Sequence, residues 1–173
     1  AGGPDRNPFI HMPAGIARLV NDSRIDWRYY TEPQPELNER RLYWPRGRVL
    51  GGSSSINAMC YTRGHRLDYD EWAQLTCDDW SYRAVLPYFR KAEDQQRGAS
   101  DYHGIGGPLA VSNARELLPA SEAFLAAAAE AGLERNDDFN GSRQDGVGAY
   151  QLTQRNGRRC SASAAYLHPV AQR

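Results

Sequence analysis

Apolar and aromatic positions fall in short, unequal runs along the chain, separated by stretches rich in glycine, proline and serine. That pattern predicts many short elements and few long ones. Residues 25–31 (Ile-Asp-Trp-Arg-Tyr-Tyr-Thr) alternate as a short strand does, and Arg41-Leu42-Tyr43-Trp44 predicts a second. A helical period appears at 68–75, with acids in its first turn and Tyr69, Trp72 and Ala73 on one side. Ser81 is placed to cap another helix to about Glu93, with Val85, Leu86, Phe89 and Ala92 on one face. Pro87 falls inside that pattern, where it kinks the helix or marks its first turns. The clearest helix covers 119–131, opening on Pro119, continuing through an alanine-rich body and stopping at Gly132. Residues 108–111 and 146–154 read as strands, Asn156-Gly157 as a two-residue hairpin turn, and Ser161 as the cap of a last helix through Leu167. Residues 2–15 and 32–40 read as loop, and 95–107 as a mobile loop and candidate lid.

Composition narrows this picture. Lys+Arg and Asp+Glu balance at 21 each, so the basic footprint of a nucleic-acid binder is absent. Four Trp and ten Tyr argue for a packed interior despite a mean hydropathy of −0.72. No run approaches the roughly 18 apolar residues of a membrane span. Cys60, Cys77 and Cys160 form no CxxC pair and read as reduced thiols of a cytoplasmic protein. His11, His65, His103 and His168 are scattered without HxxxH or HExxH spacing, so no metal site is assigned. The chain opens on Ala1-Gly2-Gly3-Pro4 and stops just after Tyr166-Leu167-His168-Pro169, which reads as an internal fragment of a longer protein.

Candidate chemistry concentrates in residues 45–64, where Gly51-Gly52, three serines and Asn57 lie between two Arg-Gly pairs. Glycine permits close approach of backbone to a phosphate-bearing or flat cofactor, and serine and asparagine add short donors. Two nucleotide and nucleophile motifs are excluded. Gly47-x4-Gly52-Ser53 has P-loop glycine spacing but serine where the phosphate-binding lysine belongs. Gly52-Ser53-Ser54-Ser55 lacks the second glycine of a hydrolase nucleophile elbow. Asp138-Phe139-Asn140-Gly141 lacks calcium-loop offsets and reads as an Asx turn.

The run Gly47-Arg48-Val49-Leu50-Gly51-Gly52-Ser53-Ser54-Ser55-Ile56-Asn57-Ala58-Met59-Cys60-Tyr61 resembles the first signature of the glucose–methanol–choline (GMC) flavoprotein oxidoreductases. Arg41 to Gly47, Arg63-Gly64-His65, Asp68 to Trp72, Leu86 to Lys91, Asp137 to Gly141, Gly146-Val147-Gly148 and Ser161 to Leu167 extend the likeness to nearly the whole chain. They look like the branch of bacterial choline dehydrogenases and acceptor-dependent alcohol dehydrogenases. The resemblance implies an α/β parent fold, α+β in this window, joining part of a Rossmann-like FAD-binding domain (1–75) to part of an antiparallel-sheet substrate domain (76–173). It implies FAD-dependent oxidation of choline or an aliphatic alkanol to the aldehyde, by hydride transfer to flavin, with a histidine base and electrons passed to a quinone or respiratory carrier. Oxygen-using oxidase activity, a non-catalytic FAD-binding fragment and an oxynitrilase-type lyase are the alternatives.

On the family's motif, Val49, Gly51, Gly52 and Ser53 line the flavin and pyrophosphate, and Asn57, Ala58, Met59 and Cys60 run under the isoalloxazine ring. Asn57 is the leading residue, its amide near the flavin edge. Ile56 stands where some choline oxidases carry a flavin-linked histidine, so the resemblance implies non-covalent FAD. Ala58 replaces a glycine common in the family, and Cys160 a tryptophan. The dinucleotide fingerprint, the second family signature and the catalytic histidine fall outside these residues in the family, and the four histidines here do not match it. No catalytic residue is therefore assigned, and the isolated chain is expected to be inactive. The parent is expected in the cytoplasm or peripheral to the inner membrane.

Overall fold

The first strands form where aromatic residues alternate. Tyr29–Tyr30 pairs antiparallel with Tyr43–Trp44, Tyr29 opposite Trp44. In the computed structural model, which describes residues 2–171, this pair belongs to a unit made of the chain up to Met59 together with the chain from Gln154 onward. A second unit spans Cys60–Thr153. The expected division by role, at 75/76, is a different partition from these two units.

In the first unit, residues 2–15 are not the extended loop expected. Asn7 accepts a hydrogen bond from the Phe9 amide at 3.0 Å and Pro8 takes the first helical position, starting the short helix Pro8–His11. A further turn, Ile16–Leu19, follows. Their apolar residues Ile10 and Leu19 are fully buried, and with Ile25, Val49 and Ile56 they form the core. Beside it, Asp26 is 2% exposed and accepts hydrogen bonds from the Tyr43 hydroxyl and from the amides of Asn21, Arg28 and Arg46. Burial pushes its pKa up, but those donors outweigh burial and hold it below the usual carboxylate range.

The predicted turn Asn156-Gly157 joins the antiparallel strands Gln154–Arg155 and Arg158–Arg159. Both turn residues have positive φ, +51° and +73°, as a two-residue hairpin loop requires. The last predicted helix is a single π-helical turn, Ser163–Leu167, entered through Ser161, whose Oγ accepts from the Ala164 amide at 3.1 Å.

The second unit holds the three longer helices. Arg66–Leu75 is capped by His65, whose Nδ1 accepts from Leu67, while Asp68 returns a bond to the His65 amide. Tyr82–Ala92 starts at Ser81 and continues through Pro87. Pro119–Glu130 ends before Gly132 at φ +90°. Glu93–Gln95 pairs in parallel with Leu109–Val111, and Cys60–Tyr61 pairs antiparallel with Gln151–Leu152. Little of 146–154 is therefore strand.

Residues 95–107 are tied down at three points. Gln95 and His103 are buried, and Gly104 packs so tightly against the Arg90 carbonyl that a Cβ there would sit 1.8 Å from it. Among the described residues no helix is long and apolar enough to cross a membrane.

Candidate functional site

The segment singled out by sequence forms a folded ribbon in the first unit. Gly51 takes φ +84° and Gly52 φ +58°, conformations that L side chains rarely adopt. They lead into a tight turn over Gly52–Ser55. A Cβ on Gly51 would meet Ser55 Oγ at 2.5 Å, whereas one on Gly52 would meet nothing within 4 Å. Gly51 is therefore needed for packing, and Gly52 opens bare backbone onto empty space.

The three serines differ in what they hold. Ser55 is fully buried and donates to the Leu50 carbonyl at 2.7 Å; Ser54 donates to Gly51 O at 2.5 Å and accepts from the Ala162 amide at 2.9 Å. Ser53 accepts from the Gly47 amide at 3.1 Å and is exposed. Two of the three serines thus lock the ribbon rather than face a ligand, which composition alone did not reveal.

Of the predicted residues in this unit, Gly51 and Gly52 are half-buried, and Ser53, Asn57 and Ala58 are exposed. Val49 and Met59 are buried, each 5% exposed, and anchor the ribbon's ends. Met59 has φ +63°, a conformation costly for a side chain of that kind and typical of functional turns. Cys60 opens the second unit opposite Leu152, exposed, beside an apolar groove that includes Leu117, Phe124, Leu125 and Tyr150.

Asn57 is oriented by two donors. The Met59 amide at 3.0 Å and Arg159 Nη1 at 2.9 Å address the same side-chain atom, which must therefore be the oxygen. The amide nitrogen is left with both N–H groups unspent among the described residues. A flat, acceptor-edged ring fits such a ribbon: empty space at Gly52, small exposed neighbours and an outward donor. Sequence reasoning missed Arg159, which only its place after the Asn156-Gly157 turn hinted at.

A cluster near the chain's two ends resembles hydrolase machinery in composition alone. Ser163 Oγ lies 3.2 Å and Asp5 Oδ1 3.1 Å from His168, but both meet Nε2. A relay needs the two ring nitrogens to serve different partners, so this is no triad. Burial raises the Asp5 pKa, and the bonds to His168 and Ser163 more than offset it, leaving it lowered.

The second unit buries a charged network instead. Glu93, fully buried, receives Arg63 Nη2 at 3.0 Å, His103 Nδ1 at 3.0 Å and the Gly104 amide at 3.1 Å. His103 Nε2 meets Asp138 at 2.9 Å. With a carboxylate at each ring nitrogen, Asp138 first and Glu93 second, the His103 pKa is pushed up to about 9. Asp138 Oδ1 also accepts from the Asn140 amide at 3.0 Å, the predicted Asx turn. Nothing in the sequence spacing signalled this network.

Tyr61, Trp72 and Tyr88, aromatic residues of the kind that could cage a quaternary ammonium, have other surroundings. Trp72 packs edge-on against Tyr69 and Trp80, Tyr61 lies under the Arg63 guanidinium, and Tyr88 is 71% exposed.

The ribbon exposes bare backbone at Gly52 and the side-chain amide of Asn57. Residues 9–173 match the model of the GMC oxidoreductase family, and the chain belongs to it. It is 51% identical to the alcohol dehydrogenase [acceptor] of Pseudomonas putida across the whole chain, which covers 32% of that protein. It is 47% identical to the oxygen-dependent choline dehydrogenase of Sinorhizobium fredii, over 99% of this chain and 31% of that one. Pyridoxine 4-oxidase from Mesorbium loti superposes with a TM-score of 0.90 at 39% identity, over 96% of this chain and 33% of that structure. An FAD-dependent oxidoreductase from Chaetomium thermophilum gives 0.86 at 29% identity, over 99% and 32%. The mixed α/β architecture is that of these neighbours, and the chain spans about a third of the length of its relatives.

Proposed function

We propose that the protein carrying this chain binds FAD and oxidises an alcohol CH–OH group, and that this chain supplies the ribbon beneath the flavin. The observations that carry the reading are the exposed Asn57, its amide oxygen held by Met59 and Arg159, and the empty space at Gly52. Bound flavin supplies the hydride acceptor. This chain's residues bind and orient it: Gly51 and Gly52 let the main chain approach, Ser53 keeps an exposed hydroxyl, and Asn57 donates outward. Val49 and Met59 anchor the ribbon from below, and the chain through Ala58 to Cys60 continues under the ring. Ile56, buried and without a nucleophilic atom, supports non-covalent attachment.

By this reading the first unit lies on the cofactor side and Cys60–Thr153 belongs to the substrate domain. The substrate is a primary alcohol, choline or an aliphatic alkanol, and the protein works in the cytoplasm or peripherally at the inner membrane. A quinone or similar carrier takes the electrons. The names of the relatives favour a second reading for that last step alone, since some are called oxygen-dependent.

The test is anaerobic bleaching of flavin absorbance in the complete protein by choline and by straight-chain alkanols. Bleaching by one class supports the proposal and identifies the substrate. A protein that takes up no flavin, or whose flavin no alcohol reduces, overturns it. Reoxidation of the bleached protein by a quinone analogue faster than by oxygen supports the acceptor reading. The chain expressed alone is expected to show no alcohol-dependent dye reduction and no stoichiometric flavin; finding either would contradict the division of labour.

A further inference from the structure

Arg159 is 3% exposed, yet no carboxylate among the described residues pairs with it. Its Nε donates to Ile10 O at 2.8 Å, and its Nη1 reaches Ser54 O at 3.2 Å, Asn57 O at 2.7 Å and Asn57 Oδ1 at 2.9 Å. Among the described residues the buried Nη2 has no hydrogen-bond partner. Among the described residues, carbonyl dipoles alone therefore compensate a full positive charge. Burying an ion is costly, and a charge kept without a counter-ion is worse placed for stability than an apolar residue. Arginine stays protonated even where burial lowers its pKa, as it does here. A fold that only needed to tie Ile10, Ser54 and Asn57 together had neutral donors available.

The asymmetry has a direction. The guanidinium sits on the inner side of the ribbon, and the polar group it grips is the side chain whose other end faces outward. Turning Asn57 over would bring its NH2 against two donors, Met59 N–H and Arg159 Nη1, and leave the inward groups unsatisfied. Arg159 thus fixes which end of the amide points out. It also adds positive potential beneath the place where Asn57 donates, in surroundings where a buried charge is poorly screened.

We propose that Arg159 is a positioning residue that acts through Asn57: it locks the amide as an outward donor and places an uncompensated positive charge behind it, favouring negative charge on a bound flavin. This rests on the proposed FAD site and deepens it. Two electrons and a proton entering the ring as hydride raise its negative charge, and a cation held behind the donor stabilises that state relative to the oxidised one.

The experiment compares wild type with Arg159→Lys, Arg159→Gln and Arg159→Met in the complete flavin-loaded protein. Two readouts other than turnover are taken: the two-electron midpoint potential, and the affinity for sulfite, a probe of how well the site tolerates added negative charge on flavin. The lysine variant keeps the charge and loses the fork, and is expected within about threefold of wild type in sulfite affinity. The glutamine and methionine variants are expected to bind sulfite about tenfold more weakly, the order of effect of one buried unit charge, with a matching drop of about 30 mV for a two-electron couple.

Equal losses in all three variants, or none in any, would overturn the proposal, since a merely structural role tracks the lost fork and not the charge. Wild-type protein with no flavin would overturn the FAD reading, and this inference with it. If the variants do not fold, the flavin-bound structure of the wild type decides. Arg159 without a carboxylate within ion-pair distance supports the proposal; an acidic partner on Nη2 from elsewhere in the protein sinks it.

Discussion

The two units bury charge in opposite ways. In the second, Arg63 and His103 converge on Glu93, and Asp138 closes the far side of His103, so each cation has an acid. In the first, Arg159 is as deeply buried and, among the described residues, has only backbone carbonyls and one amide oxygen. A balanced network holds a unit together. An unbalanced cation at a ribbon with an outward donor is a cost that function explains better than stability does.

The largest effect expected from this contrast is at Glu93. Glu93→Gln strands Arg63 as a buried cation and leaves His103 with Asp138 alone, and should cost about 3–5 kcal/mol in urea unfolding. Arg159→Met should cost clearly less, because no opposite charge is stranded and only carbonyls lose a donor. Equal losses would erase the distinction between the two sites.

Next is the pH response. His103 has a folded pKa of about 9 against an ordinary 6.5, so the unfolded chain releases its proton first as pH rises. Its contribution is complete below about 6.5 and is lost as pH climbs through 9, on the order of 2–3 kcal/mol. Asp138 acts in the opposite range: its folded pKa is lowered, so its share is present above about 3.8 and lost as pH falls through the folded value. Denaturation midpoints measured from pH 6 to 10 should decline in wild type and flatten in His103→Gln.

A smaller effect separates the ribbon from an ordinary turn. Gly52 and Gly98 both have positive φ, +58° and +96°, and both face open space. Alanine at either should cost about 1–2 kcal/mol of folding stability. Only Gly52→Ala should also weaken flavin binding, by about tenfold, because its methyl enters the space where the ring approaches. Titration of the two apoproteins with FAD checks this.

Smallest is Ser53→Ala, which removes one acceptor for the Gly47 amide and one exposed hydroxyl. A loss of about 0.5–1.5 kcal/mol in stability and a few-fold in FAD affinity is expected.

Local signals carried well from sequence to structure. Ser81, Pro119, Gly132 and Asn156-Gly157 stand where their backbone chemistry puts them, because caps and tight turns are decided within a few residues. The ribbon was legible for the same reason, since Gly51 and Gly52 have few other conformational uses so close to three serines and Asn57. What escaped was every long-range polar pairing. Arg159 meets Asn57 across 102 positions, and Arg63 meets Glu93 across 30. No periodicity or spacing encodes such meetings. The helix at Pro8 was missed although Asn7-Pro8 announced it, because four residues give no apolar period to read. The glycines and polar residues of 95–107 suggested looseness, but Gln95 and His103 spend their polar groups on a buried network that spacing does not announce.

The most direct measurement is a crystal structure of the complete protein with its flavin. This account predicts Asn57 Nδ2 within about 3.2 Å of an acceptor on the ring, with the face at Gly52 covered by the cofactor. A flavin bound elsewhere, or an Asn57 amide nitrogen turned inward toward Arg159, would contradict it.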